Sequence, residues 1–433
     1  MKLWSKENTN TSQLIEKFTV GRDNEFDLLL AAHDVDGTMA HVTMLQENGL
    51  MDKNEAEQAL HGLKQISDEI KNGKFVIEDG VEDIHSQVEL TLTRRIGEAG
   101  KMIHSGRSRN DQVALDIKLF LRAEILKVKD EVNELFRLLI EQSDKHKNVL
   151  IPGYTHLQIA MPSSAGLWLG AFAESLVDDM ELLVSAYHVA NKNPLGSGAG
   201  YGSSFPLNRT RTTELLNFGA MNYNSVYAQM SRGKTEKVVA QALASVAATL
   251  SKLAMDCCLY LNQNFNFISF PPQLTTGSSI MPHKKNPDVF ELVRAHCNRI
   301  QSVPNELVIL LNNLPSGYHR DLQLTKEIIF PVFEQLYSCL VMTKLMISNI
   351  SFREEILNDE KYKYLFSVEA VNQLVNKGVP FRDAYKQIGE QIEKGEFKFD
   401  FAGGLNHTHE GSLGNLCNDK ISAQMLKVLN KFL

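Results

Sequence analysis

The chain has 433 residues, with 45 Lys plus Arg against 52 Asp plus Glu and a formal charge of −7. That length supplies about three domains, or one large fold with appendages, and a core that needs no disulfide or metal staple. The mild acidity argues against a nucleic-acid or anionic-membrane partner, which normally calls for a basic face. With 27 glycines and 12 prolines, usage falls short of the roughly 12% average for the two together, which excludes collagen-like and loop-rich classes.

The N-terminal MKLWSKENTNTSQ has no apolar stretch fit for a signal peptide, and no run approaches the roughly 18 apolar residues of a membrane helix. Five cysteines form no Cys-x-x-Cys pair and read as reduced thiols. A soluble cytoplasmic protein is the expectation.

In chain order, residues 1–106 read as an N-terminal domain of shorter helices with an acidic turn, Glu78-Asp79-Gly80 followed by Glu82-Asp83. Residues 107–355 carry the long-period signal of a central domain. Past residue 110, Val113, Ile117, Leu121, Ile125, Val128, Val132, Leu135 and Leu139 step by three or four, one apolar stripe of a helix. Ser108 with Asp111 three residues on predicts a capping box before it. Segments 163–192, 287–312 and 321–350 also read as long helices, the last two kinked at Pro304 and Pro331. A second stripe runs through Val239, Leu243, Val246, Leu250, Leu253, Cys257 and Leu261. Residues 356–433 form a small, shortened C-terminal helical domain with a Gly-rich loop, Ala402-Gly403-Gly404. Phe75-Val76-Ile77 and Phe397–Phe401 are short and isolated, so convincing strands are absent. The predicted fold is all-α, three domains around a central bundle of long helices.

Four polar islands interrupt this apolar frame, where a bundle brings loop ends together. The first, Ile103 to Gln112, sets Arg107 and Arg109 at a helix N-terminus. Cations are unfavourable there, and a bound anion supplies the compensation. The second, Pro152-Gly153-Tyr154-Thr155-His156-Leu157-Gln158, carries a histidine open to a structural or an acid–base role. The third, Gly196 to Ser204, is flexible enough to approach a ligand, yet no Gly-Lys-Ser/Thr closes it as a phosphate loop. In the fourth, Thr275 to Pro287, Asn286 is expected to cap a helix that begins with Pro287, which puts Lys284 beside a second positive helix end. Two anion clamps, a histidine and hydroxyls suit proton abstraction beside a carboxylate followed by β-elimination, which needs one base and one acid. His407-Thr408-His409-Glu410 has no third ligand nearby, so no metal site is expected.

Gly277-Ser278-Ser279-Ile280-Met281-Pro282-His283-Lys284-Lys285-Asn286-Pro287 resembles the signature of the fumarase/aspartase superfamily. Glu82-Asp83-Ile84-His85, the His104–Gln112 island, the Pro152–Gln158 island and Leu314-Pro315-Ser316-Gly317-Tyr318 with Asp321-Leu322-Gln323 and Lys326 resemble its argininosuccinate lyase branch. The resemblance runs from Lys2-Leu3-Trp4 to about residue 390. It implies a fumarase/aspartase-like homotetramer with a shared central bundle and active sites built from three subunits. The implied reaction splits argininosuccinate into arginine and fumarate without a cofactor.

Carried over by position, Ser278 is implied as the base, and His156 with Glu291 as proton-transfer machinery on the leaving-group side. Lys284 and Asn286 would hold the succinyl carboxylate and the developing aci-carboxylate. His85, Ser108, Arg109, Asn110 and Thr155 would line the substrate site. Tyr318, Gln323 and Lys326 would hold the arginine part, with Arg232 contributing. From the residues alone His156 is the natural base, since imidazole titrates nearest neutrality. Only a water-poor loop beside Lys284 and a helix end lets a serine alkoxide compete.

Two departures stand out. Gly21 falls where the family has a substrate-contacting serine, and Gly233 follows Arg232 where an aspartate is common. Rival readings are another fumarate-releasing lyase (adenylosuccinate lyase, aspartase) and a catalytically silent helical scaffold.

Overall fold

The computed structural model describes residues 13–400, 405 and 407–432. Lys2-Leu3-Trp4 and the Ala402-Gly403-Gly404 loop lie outside the described residues. The chain divides into two compact units. The first comprises residues up to 129, Leu182–Ser245 and Arg299–Leu336; the second comprises Asp130–Glu181, Val246–Asn298 and the chain from Tyr337 on.

Long helices dominate: Arg109–Lys145 (37 residues), Ala165–Ala190 (26), Lys234–Leu261 (28) and Thr325–Ser348 (24). The first exists because its apolar stripe repeats at helical spacing. Ile117, Leu121, Ile125, Val128, Val132, Leu135 and Leu139 are all buried, whereas Val113 lines a cavity instead. The predicted capping box forms: Ser108 donates its N–H to Asp111 Oδ1 at 2.9 Å, and Asn110 donates to Ser108 Oγ at 3.2 Å.

The two prolines act differently. Pro331 sits inside the continuous helix Thr325–Ser348. Pro304 does more than kink the 287–312 segment. The helix Asp288–Ile300 ends and Val303–Leu310 starts afresh, with the proline in its first turn, where no backbone donor is required.

In the first unit, helices Asp23–Glu47, Lys53–Lys71 and Ile84–Ile96 pack a separate core around Leu45, Leu63, Ile66, Ile84 and Leu92. In the second, Ser367–Asn376 and Phe381–Glu393 close over Ala370, Ala384 and Ile388. Phe397 completes that cluster instead of forming a strand.

The expected absence of strands is corrected by an antiparallel hairpin, Leu150–Thr155 with Gln158–Ser164, that pairs Thr155 with Gln158 across a two-residue turn. Its turn residues His156 and Leu157 have φ of 54° and 59°. That geometry normally selects Asn-Gly or Gly-Gly, and Pro152 faces Pro162 within the ladder. Both features hide the hairpin from pattern reading.

Two helical stretches, Lys234–Leu261 and Arg320–Ser348, are long and apolar enough by length and composition to cross a membrane, contrary to expectation. The expectation counted unbroken apolar runs, and these segments reach high mean hydropathy despite scattered Ser, Thr and Gln that interrupt them. Their apolar windows are 56% and 44% buried inside the protein, as core helices are.

Candidate active site

The first unit holds a cavity of about 500 Å³. Arg109, Asn110, Arg232, Tyr318, Gln323 and Lys326 line it, as do the acids Asp23, Asp27, Glu82, Asp83 and Glu89. The capping box fixes where Arg109 leaves its helix. Its Nη2 donates to Ser86 Oγ at 3.1 Å and stands 3.7 Å from Glu89, its Nε 3.7 Å from Asp83. Its Nη1 is enclosed and has no hydrogen-bond partner among the described residues. Arg107 turns elsewhere, donating to Thr38 Oγ1 at 3.0 Å. Burial pulls its guanidinium below the ordinary arginine range against the attraction of Asp34 and Asp111.

Lys326 is a buried member of the lining, with Asp23 Oδ1 at 2.7 Å and Asp27 also paired to it. Burial opposes its charge, but the two carboxylates outweigh burial and raise its pKa. Asp23 itself is pushed up to about 6, by burial first and then by Asp27. Arg232 is 5% exposed; its Nε pairs with Glu236 at 3.3 Å and its Nη2 donates to the Leu322 carbonyl at 3.2 Å. Gln323 Nε2 donates to the Thr19 and Val20 carbonyls at 3.0 and 3.3 Å.

His104 also lines the cavity, a residue left out of the sequence-based site although it lies in the first island. Burial, then the charges of Arg107 and Arg109, pull it down to about 4, so it is a neutral donor or acceptor. The cavity acids were likewise missed. Only Glu82-Asp83 stood out in the sequence, as a turn.

His85 and Ser108 are not in the cavity wall. Ser108 is used up by the helix cap. His85 is fully buried, its Nδ1 2.7 Å from Asp34 and 3.5 Å from Asp116. Burial works against its charge, but Asp34, Asp116 and Asp83 raise it to about 9. The three side chains have atoms within 4.8 Å of one another, a spacing that suits a cation. Here the imidazolium supplies that charge: against burial it holds Asp34 below the usual range, while Asp116, desolvated first and then repelled by Asp34, is held well above it.

The third island is not a free ligand loop: Gly196 and Gly198 donate their N–H groups to Asp111 Oδ2 at 3.0 and 2.9 Å. His407 pairs with Glu369 at 2.9 Å.

The second unit carries the rest. Thr155 and His156 stand exposed at the hairpin tip. The fourth island folds back on itself, Thr276–Gly277 pairing with Lys285–Asn286. The following helix starts at Asp288, and Asn286 does not cap it: its Nδ2 turns back to the Gly277 carbonyl at 3.4 Å. Ser278 Oγ accepts backbone N–H groups from Met281 at 3.1 Å and Ile280 at 3.3 Å. Lys284 and Glu291 are exposed. Among the described residues no side-chain hydrogen bond or ion pair engages His156, Lys284 or Glu291.

Gly233 has φ of 73°, and a Cβ there would lie 2.3 Å from Leu311 Cδ2, so an aspartate has no room unless Leu311 moves. Gly21 is likewise left-handed, at 54°.

The fold is that of a helical lyase. A solved EDDS lyase in complex with formate superposes with a TM-score of 0.76 at 22% identity, covering 98% of this chain and 91% of that one. The class II fumarase of Schistosoma mansoni does so at 0.72 and 17%, covering 93% and 91%. A family model described as "Lyase" matches residues 6–302. The argininosuccinate lyase of Bacteroides thetaiotaomicron is 60% identical over 431 residues, all of this chain and 96% of its own length. That of Stenotrophomonas maltophilia is 36% identical over 95% of this chain and 93% of its own. The chain therefore belongs to the argininosuccinate lyase family. The likeness to the Bacteroides relative extends past residue 390, over the whole of this chain.

Proposed function

We propose that this protein cleaves argininosuccinate to arginine and fumarate by β-elimination, as a carbon–nitrogen lyase of arginine biosynthesis. The observation that carries the reading is Ser278, whose Oγ already accepts two backbone N–H groups on a loop that also bears Lys284. Donors aimed at a hydroxyl oxygen stabilise its alkoxide, as an oxyanion hole does, and turn a weak base into a competent one.

In this reading Ser278 Oγ takes the proton from the carbon beside the succinyl carboxylate. Lys284 and Asn286 hold the negative charge as it spreads onto that carboxylate. The C–N bond then breaks, its electron pair stays on the guanidino nitrogen, and His156 with Glu291 returns a proton there, while the carbon fragment leaves as fumarate. Tyr318, Gln323, Lys326 and Arg232 hold the arginine part. The cavity acids Asp23, Asp83 and Glu89 suit its guanidinium, and Arg109, Asn110 and Thr155 suit carboxylates. His85 and Ser108 act from behind, by fixing the wall that carries Ser86, Arg109 and Asn110.

The exposure of the hairpin tip and of the signature loop in a single chain supports a homotetramer whose sites are completed by neighbouring subunits. Five free cysteines support a cytoplasmic location.

The test is fumarate release, followed by absorbance, from argininosuccinate, adenylosuccinate and aspartate in parallel. Fumarate is expected from the first alone. Release from another substrate alone would reassign the specificity, and none from any would favour a silent scaffold.

A further inference from the structure

We propose that a second cavity in the first unit is a binding site for a small oxyanion, a carboxylate dianion or inorganic phosphate, that acts on substrate affinity through Arg232. This cavity, about 300 Å³, is lined by Arg232, Lys234, Lys237 and His319 against an apolar wall that includes Leu311 and Leu314. Among the described residues lining it there is no carboxylate.

Three observations point to an anion. Lys234 and Lys237 stand in the first turn of the helix Lys234–Leu261, at the positive end of its dipole, where cations are unfavourable without compensation. The acid in that turn, Glu236, is already paired with Arg232. Neither lysine has an ion-pair or hydrogen-bond partner among the described residues for its side chain, though Lys234 Nζ stands over the Tyr227 ring. Most telling, Arg232 is 5% exposed yet keeps an enclosed Nη1 with no partner among the described residues, as His319 keeps an enclosed Nε2. Buried donors are normally satisfied, and an oxyanion supplies what two unpaired donors and two lysines lack.

The cavity is not an extension of the substrate cavity but its neighbour through a shared wall. Arg232 lines both. Along the adjoining segment, Tyr318, Arg320 and Gln323 face the first cavity, while Gly317, His319 and Leu322 face the second. An anion that engages Arg232 from the second side competes for its guanidinium and displaces the common wall. The expected effect, which rests on the proposed lyase activity, is a raised KM for argininosuccinate with kcat little changed.

The intact protein is titrated calorimetrically with inorganic phosphate and, separately, with succinate, as wild type and as Lys234→Gln/Lys237→Gln, with each single variant as a check on folding. At least one anion is expected to bind saturably, and at least tenfold more weakly in the double variant, with the singles intermediate. Whichever anion loses affinity identifies the source as phosphate or carboxylate. In turnover assays that anion raises KM for wild type and not for the double variant, whose own kcat and KM without added anion match wild type. Equal affinity in folded wild type and variant, or no binding of either anion to wild type, overturns the site. Absence of lyase activity would remove the KM arm while leaving the binding result to decide the site.

Discussion

The cavity of the first unit and the reactive elements of the second are built on opposite plans. Around the cavity several polar side chains are committed: Lys326 to two aspartates, Arg232 to Glu236 and a carbonyl, Gln323 to two carbonyls. At the hairpin tip and the signature loop, His156, Lys284 and Glu291 stand exposed without side-chain partners among the described residues, whereas Ser278 and Asn286 are engaged only within their own loop. The cavity side chains are fixed by a buried ion network, whereas the groups to which we assign proton transfer are left uncommitted among the described residues. On the proposed assignment, pre-organised binding and movable chemistry are divided between two stretches of one chain.

The contrast breaks first at Ser278. Ser278→Ala is expected to cut turnover by about 10²- to 10⁴-fold with the melting temperature unchanged, because the lost group moves a proton and supports no packing. A variant with near-normal turnover would return the base to His156. On the committed side, Lys326→Met leaves Asp23 and Asp27 buried without their cation and is expected to cost roughly 3–5 kcal/mol in urea unfolding. A loss confined to KM, with stability intact, would put Lys326 among the uncommitted groups.

His85 sharpens the same side through pH. Its proton is held in the folded state up to about 9, above the ordinary imidazole value of about 6.5. Its contribution is therefore complete below that ordinary value and is lost as pH rises through the folded value. Thermal melts should fall between pH 7 and 10 in wild type and fall less in His85→Gln; identical slopes would show that the proton is not stored there. The smallest effect belongs to the hairpin tip. Leu157→Gly removes a left-handed leucine and should stabilise by roughly 1 kcal/mol with turnover little changed.

Most of the frame was readable in the sequence because burial and helical period coincide: seven of the eight stripe residues from Val113 to Leu139 are buried, and the capping box formed. The hairpin was not, because a His-Leu turn and facing prolines carry none of the usual turn chemistry. Of the site, the cations and hydroxyls were legible as islands. The acids Asp23, Asp27 and Glu89 were not, since on helices they read as ordinary solvated charges until folding sets them against Lys326 and Arg109. The partners of His85 and of the glycine island were not legible for a common reason: only three-dimensional packing sets them against the internal carboxylates Asp34, Asp116 and Asp111.

The side chain of Asp111 ties two distant stretches of chain into one rivet. Because a single carboxylate accepts from Ser108 on one oxygen and from Gly196 and Gly198 on the other, neither loop can gain or lose a residue without unseating the other. Length changes there should be tolerated only in compensating pairs, and a swap to asparagine would trade one of these acceptors for a donor facing donors.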